Sequence, residues 1–139
     1  MKKIVLFSLL ALVLLCQSVF AASMDVVGGI RDGMALGIMG EQNMTNSLGV
    51  RYGLEANTGN QPLVLFVGSK FYLTDSQQPM PLALGFGLVG YLGSKNSTGG
   101  LSLSIIVDRV LNWQPLFIEA GVDVVEQGRF QLQMGYKIQ

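Results

Sequence analysis

From residue 24 to the C-terminus, apolar and polar or small side chains alternate with a period of two, the pattern of strands that have one apolar face. It is cleanest at the end of the chain. Phe130, Leu132, Met134, Tyr136 and Ile138 share one face, and Gln131, Gln133, Gly135 and Lys137 share the other. The preceding run sets Leu116, Ile118, Ala120, Val122 and Val124 against Phe117, Glu119, Gly121 and Asp123. Leu48, Val50, Tyr52 and Leu54 oppose Gly49, Arg51, Gly53 and Glu55, and within 82–92 leucines and Phe86 oppose Ala83, Gly85 and Gly87. Weaker alternation covers 24–30, 34–40, 63–73 and 101–109. No window favours a helix. The pattern predicts an all-β chain, an antiparallel up-and-down β-barrel of about eight strands.

Turn chemistry supports the same count. Arg31-Asp32-Gly33 and Glu126-Gln127-Gly128 have the form of three-residue hairpin loops with glycine at the left-handed position. The first predicts pairing of Ile30 with Met34, Gly28 with Leu36 and Val26 with Ile38. The second predicts Val124 with Phe130, Val122 with Leu132, Ala120 with Met134 and Ile118 with Tyr136, and on the other face Phe117 with Lys137. A one-residue slip would mix the two faces. The other connections are polar clusters at Glu41 to Asn46, Asn57 to Pro62, Thr74 to Pro81, Gly93 to Gly100 and Asn112 to Pro115.

The first residues have a different character. Lys2 and Lys3 precede a stretch from Ile4 to Cys16 that is apolar except for Ser8, and Ala21 and Ala22 follow. That is the layout of a secretory signal peptide over residues 1–21, with the β-barrel domain over 22–139. The stretch falls short of the roughly 20 residues of a spanning helix. Val19 and Ala21 favour cleavage after Ala21, with Ala22 and Ser23 as alternatives. Bacterial lipoproteins are cut before a cysteine, but Leu15 is bulky where that processing needs a small residue, so Cys16 reads as part of the apolar segment. The remaining chain has no cysteine and forms no disulfide.

Composition decides which face looks inward. An average soluble domain carries about 25% charged residues; this chain carries 13%, nine of each sign, with 18 glycines. The mixed face holds Gly29, Gly37, Gly49, Gly53, Gly85, Gly87, Gly121 and Gly135 together with Arg51, Glu55, Glu119, Asp123 and Lys137. Glycine on an open, solvated strand surface weakens the strand. Inside a narrow barrel it makes room for a few long charged side chains, whose near-balance suits a shared ion network. Several strands reach 9–11 residues, enough to cross a bilayer when tilted. Phe71, Tyr72, Tyr91, Trp113, Phe117, Phe130 and Tyr136 lie near strand ends, as interfacial aromatic girdles do.

Over about residues 24–138 the pattern resembles the small eight-stranded outer-membrane β-barrels of bacteria. The resemblance implies an exported protein of the outer membrane, in contact with outer-membrane lipid and with the assembly machinery during biogenesis, and monomeric. Leu132-x-Met134-x-Tyr136-x-Ile138 matches the alternating end of that class, although Ile138 replaces the terminal aromatic and Gln139 overhangs. Loop lengths also depart, since no connection exceeds about eight residues. If the N-terminus is periplasmic, the two shortest loops lie outside. The competing arrangement is a secreted or periplasmic soluble barrel binding a small apolar ligand, as lipocalin-like carriers do, with Leu132, Val122, Ile118, Phe86 and Leu84 lining its pocket.

Candidate chemistry is sparse. The chain has no histidine, which removes the usual general base and the partner that activates a serine nucleophile. No cofactor or metal site is expected. Gly85-Phe86-Gly87-Leu88-Val89-Gly90 matches a dinucleotide-binding pattern, but that pattern needs a helix to begin at it and here it sits within a strand. Glu119 and Asp123 share a face, yet four strand residues separate them by about 13 Å, beyond the roughly 5–9.5 Å of glycosidase pairs. A Glu119–Lys137 ion pair is the better expectation. Equal numbers of acidic and basic residues exclude a basic nucleic-acid face. The candidate site is therefore an interior charge network of Arg51, Glu55, Lys70, Glu119, Asp123 and Lys137, structural or lining a narrow pore. The expected role is non-enzymatic: envelope structure or surface interaction.

Overall fold

The computed structural model describes residues 23–138, so the expected signal peptide and Cys16 lie outside the described residues. Eight strands follow in order: β1 Ser23–Arg31, β2 Met34–Asn43, β3 Leu48–Asn57, β4 Leu63–Tyr72, β5 Leu82–Leu92, β6 Ser97–Asp108, β7 Leu116–Val124 and β8 Gly128–Ile138. Each pairs antiparallel with the next, and β1 pairs with β8, closing the barrel. Only a single 3₁₀ turn, Val110–Asn112, interrupts the β structure among the described residues.

Closure is staggered. Paired residues lead from Met24 through Gly40, Tyr52, Val67, Leu88, Leu101 and Val124 to Gly128, whereas Met24 itself pairs with Ile138. The circuit closes ten residues along β8. With a rise of about 3.3 Å per residue and strands about 4.8 Å apart, eight strands with that stagger tilt by about 40° to the barrel axis. The strand direction alternates, so the connections 32–33, 58–62, 93–96 and 125–127 gather at one end, the turn end. The start of β1 and the end of β8 lie at the other, the terminus end, with 44–47, 73–81 and 109–115, and the longer loops belong there.

The β1–β2 register is as the sequence predicts, with Ile30 opposite Met34 and Val26 opposite Ile38. Its loop is shorter. Arg31 remains in β1 and is buried, Asp32 takes the left-handed conformation (φ 58°), and Gly33 has φ 150°. At β7–β8 the predicted register is wrong by two residues. Val124 pairs with Gly128, Val122 with Phe130, Ala120 with Leu132 and Ile118 with Met134, around a loop of 125–127 rather than 126–128. A shift of two preserves every face, so alternation could not detect it. Packing selects the observed register, because it sets Phe117 opposite Gly135 rather than Lys137 and lays the buried Phe117 ring over the glycine.

A Cβ on residue 135 would overlap that ring. Gly135→Val is expected to lower stability by about 1–3 kcal/mol through overpacking. In a background of Phe117→Ala, which empties that space, the added cost of Gly135→Val should largely vanish, a non-additivity read from the midpoints of denaturant unfolding.

Candidate functional site: the charged interior and the apolar exterior

Alternation around a closed sheet produces two continuous surfaces. Facing out are Val26, Ile30, Leu36, Ile38, Leu54, Leu65, Val67, Phe86, Leu88, Leu101, Leu103, Ile105, Phe130, Leu132 and Met134, all substantially exposed. No ionisable side chain other than tyrosine interrupts the middle of this belt. Facing in are nearly all the strand charges, together with Val27, Met39, Val64, Phe66, Ala83, Val89, Ile106 and Phe117.

Five of the six candidate residues, Arg51, Glu55, Lys70, Glu119 and Asp123, are buried inside, and Lys137 projects inward with 21% of its side chain exposed. They do not form one cluster among themselves. Four further residues, Asp25, Arg31, Glu41 and Asp108, divide them into groups along the barrel. Their phase would have revealed them. Asp25 and Arg31 share the face of Gly29, Glu41 that of Gly37, and Asp108 that of the buried Ser102 and Ser104. Asp25 and Asp108 lie within the alternating segments 24–30 and 101–109, so phase alone places them inside, whereas Arg31 and Glu41 read as turn residues in the sequence.

At the turn end, Arg31 Nε donates to Asp123 Oδ2 at 2.8 Å and Arg31 Nη1 to Glu55 Oε1 at 2.6 Å. Tyr91 donates its hydroxyl hydrogen to Asp123 at 2.5 Å, and Gln133 Nε2 donates to Glu55 Oε2 at 2.5 Å. In the middle, Arg51 Nη1 and Nη2 form a fork on Glu119, at 3.2 and 2.7 Å, and Ser104 donates to the same carboxylate at 2.6 Å. At the terminus end, Lys70 Nζ reaches Glu41 at 3.0 Å and Asp108 at 2.6 Å, while Lys137 Nζ approaches the same two at 3.5 and 3.4 Å. Tyr72 donates to Asp108 at 3.1 Å.

Aromatic rings link the groups. Arg31 and Arg51 lie 5.5 and 5.9 Å from the Phe66 ring centre, and Arg51 and Lys137 lie 5.6 and 5.8 Å from that of Phe117. Cation and ring thus alternate from Arg31 to Lys137, each contact contributing about 0.5–2 kcal/mol where water is excluded. Three expectations change here. Glu119 pairs with Arg51 and not with Lys137, because the two-residue register shift carries Lys137 to Glu41 and Asp108. Tyr72, Tyr91 and Phe117 lie inside, as the barrel interior read from the sequence has them, and so leave the girdle, whose outward members near the ends are Phe71, Trp113, Phe130 and Tyr136. Leu132, Val122, Ile118, Phe86 and Leu84 line no pocket: they share the outward phase of their strands, and Leu132, Val122 and Phe86 are exposed.

The glycine motif at 85–90 is wholly extended within β5, and no helix begins there. Glu119 and Asp123 are each held by a different arginine, so neither is arranged as a free acid or base.

No known protein family matches the sequence, and no curated protein matches it. Among solved structures, the crystal structure of the N-terminal β-barrel domain of Pseudomonas aeruginosa OprF is similar, with a TM-score of 0.58 over 84% of this chain and 96% of that one. At 10% identity the likeness is one of fold: a closed eight-stranded antiparallel barrel.

Removing one member of a buried pair should cost far more than removing both. Arg51→Met is expected to destabilise by about 3–5 kcal/mol by leaving Glu119 uncompensated, and Arg51→Met with Glu119→Gln should recover most of it. A double-mutant cycle on unfolding midpoints measures the coupling.

Proposed function

We propose that this chain is an integral β-barrel of the bacterial outer membrane with a non-enzymatic role in envelope structure or surface interaction. The observation that carries this reading is the uninterrupted apolar exterior of a barrel whose charged side chains pack inside. In water this arrangement would leave a belt of leucine, isoleucine, valine and phenylalanine unpaired, far beyond the patches soluble monomers tolerate. In lipid it meets the demand for an apolar outside and satisfied backbone groups, with no sheet edge left open.

Its partners are outer-membrane lipid and, during biogenesis, the assembly machinery, and the barrel works as a monomer. The interior supports a closed wall rather than a conduit: Arg31, Phe66, Arg51, Phe117 and Lys137 fill it along its length. Arg51, Glu55, Lys70, Glu119, Asp123 and Lys137 are accordingly structural charges. The terminus end offers more for interaction than the turn end. Leu111 is 85% exposed, and Trp113 packs edge-on against Tyr136 with ring centres 6.0 Å apart. Arg109 donates a hydrogen bond to the Ser76 carbonyl, tying the loop 109–115 to the loop 73–81.

The mature protein is expected to sediment with outer membranes and to require detergent for dispersal. A stable detergent-free monomer in the periplasm would overturn the proposal. Leu132→Arg, in mid-strand, should cost about 2–4 kcal/mol in bilayers, whereas Ile138→Arg at the strand end should cost about 0–1 kcal/mol. Equal costs would remove the lipid-facing assignment. Planar bilayers containing the purified protein should show no steady conductance; a reproducible conductance would restore the pore.

A further inference from the structure

The two rims of the barrel differ in kind. Among the described connections, the large apolar side chains left exposed are Met44, Leu73, Met80, Leu111 and Trp113, and all of them stand at the terminus end. Three continue the outward phase of the strands they join: Leu73 lies two residues beyond Phe71, Met80 two before Leu82 and Met44 two beyond Gln42. At the turn end the same step beyond Ile30, Ala56, Leu92 and Val124 reaches Asp32, Thr58, Ser94 and Glu126, all exposed. The apolar exterior therefore stops with the strands at one end and runs on into the loops at the other. Asp75 and Arg109 are the only charges in the three terminus-end connections.

The loop 109–115 goes furthest. Arg109, Leu111 and Asn112 have φ of 52°, 57° and 59°, left-handed backbone that is uncommon without glycine and an outlier for a side chain as bulky as leucine. The Asn112 amide donates to the Arg109 carbonyl at 2.9 Å and the Trp113 amide to the Val110 carbonyl at 3.0 Å, and these bonds hold the shape. Its effect is to leave Leu111 more exposed than any other large apolar side chain described, with Trp113 edge-on against Tyr136 of the outer belt. Strained backbone of this kind clusters at sites of contact. Here it presents an apolar side chain, which gains only by leaving water.

We propose that the terminus-end loops rest in the interfacial layer of a phospholipid bilayer, with Leu111 and Trp113 seated among headgroups and upper acyl chains, while the turn end stands clear in water. This surface rests on the bilayer reading of the barrel and adds which end is anchored and by which residues. Lipid is the occupant because the apolar loop residues do not form one patch. They are spread over the β2–β3, β4–β5 and β6–β7 connections, and the exposed Met24 and Ile138 complete the rim at the seam of β1 and β8. A protein partner or a second copy would cover one side of that ring, whereas a lipid annulus meets all of it at once. Tryptophan and tyrosine favour the interfacial layer because the ring is apolar while its N–H or O–H stays within reach of headgroups and water.

Trp113 is the one tryptophan of the chain, so its fluorescence reports on the loop in the unaltered protein. The protein is folded into phosphatidylcholine vesicles with iodide on both sides, or into vesicles whose acyl chains carry bromine either near the glycerol or at their far ends. Trp113 emission should be lost most to bromine near the glycerol, less to bromine at the chain ends and least to iodide. In a Trp113→Phe background, Met44→Trp and Met80→Trp should repeat that order, and Ser94→Trp at the turn end should lose most emission to iodide. Vesicle flotation separates this surface from the membrane role. A chain that does not float with the vesicles overturns both, whereas a chain that floats with Trp113 open to iodide overturns the surface alone. Bromine quenching at Trp113 with iodide quenching at Met44→Trp and Met80→Trp marks a one-sided contact and overturns lipid as the occupant.

Discussion

Arg51 is fully buried, with its guanidinium forked onto Glu119, and two aromatic rings occupy the space beside it. Neither partner can turn to water, so each is stable only while the other stays in place. That mutual dependence extends through Phe66 to Arg31 and through Phe117 to Lys137. It ties β1, β3, β4, β7 and β8 together across the lumen as well as through their ladders. In a barrel with an apolar exterior these interior contacts are the main directional packing available, and they specify which strands must face each other across the axis.

The small residues belong to the same constraint. Eight strands enclose little more than the volume of the side chains that fill them, and two arginines, two lysines and two phenylalanines need more room than a uniformly packed wall would leave. Gly135 yields its place to the Phe117 ring, and Gly85 lies against Ser104 and within reach of the Arg51 guanidinium. These two glycines mark where large partners cross the lumen, whereas at Gly29, Gly37, Gly87 and Gly121 a Cβ would first meet a carbonyl of the neighbouring strand.

Much of this was legible locally. The period of two separated inward from outward positions in the strands, and Arg51, Glu55, Glu119 and Asp123 fell on the correct face for that reason. Arg31 and Glu41 escape because each stands near a strand end, where a polar residue reads equally well as turn, while Asp25 and Asp108 lie within strands whose alternation is too weak to single them out. The consequence was not trivial. The six residues chosen from the sequence are balanced in sign, whereas the ten in the interior carry two more acids than bases.

The sequence by itself determined the strand count, the two faces and the β1–β2 register, because these follow from alternation and turn chemistry within a few residues. Only the tertiary structure decided which charge meets which. Moving a strand by two residues keeps every side chain on its face yet displaces it by about 7 Å, further than any ion pair tolerates. The β7–β8 ladder differs from its sequence expectation by that step, and the step separates Glu119 from Lys137. Register at that scale is set by closure of the whole ring and by bulky side chains finding small ones across it, neither of which is written in any single strand.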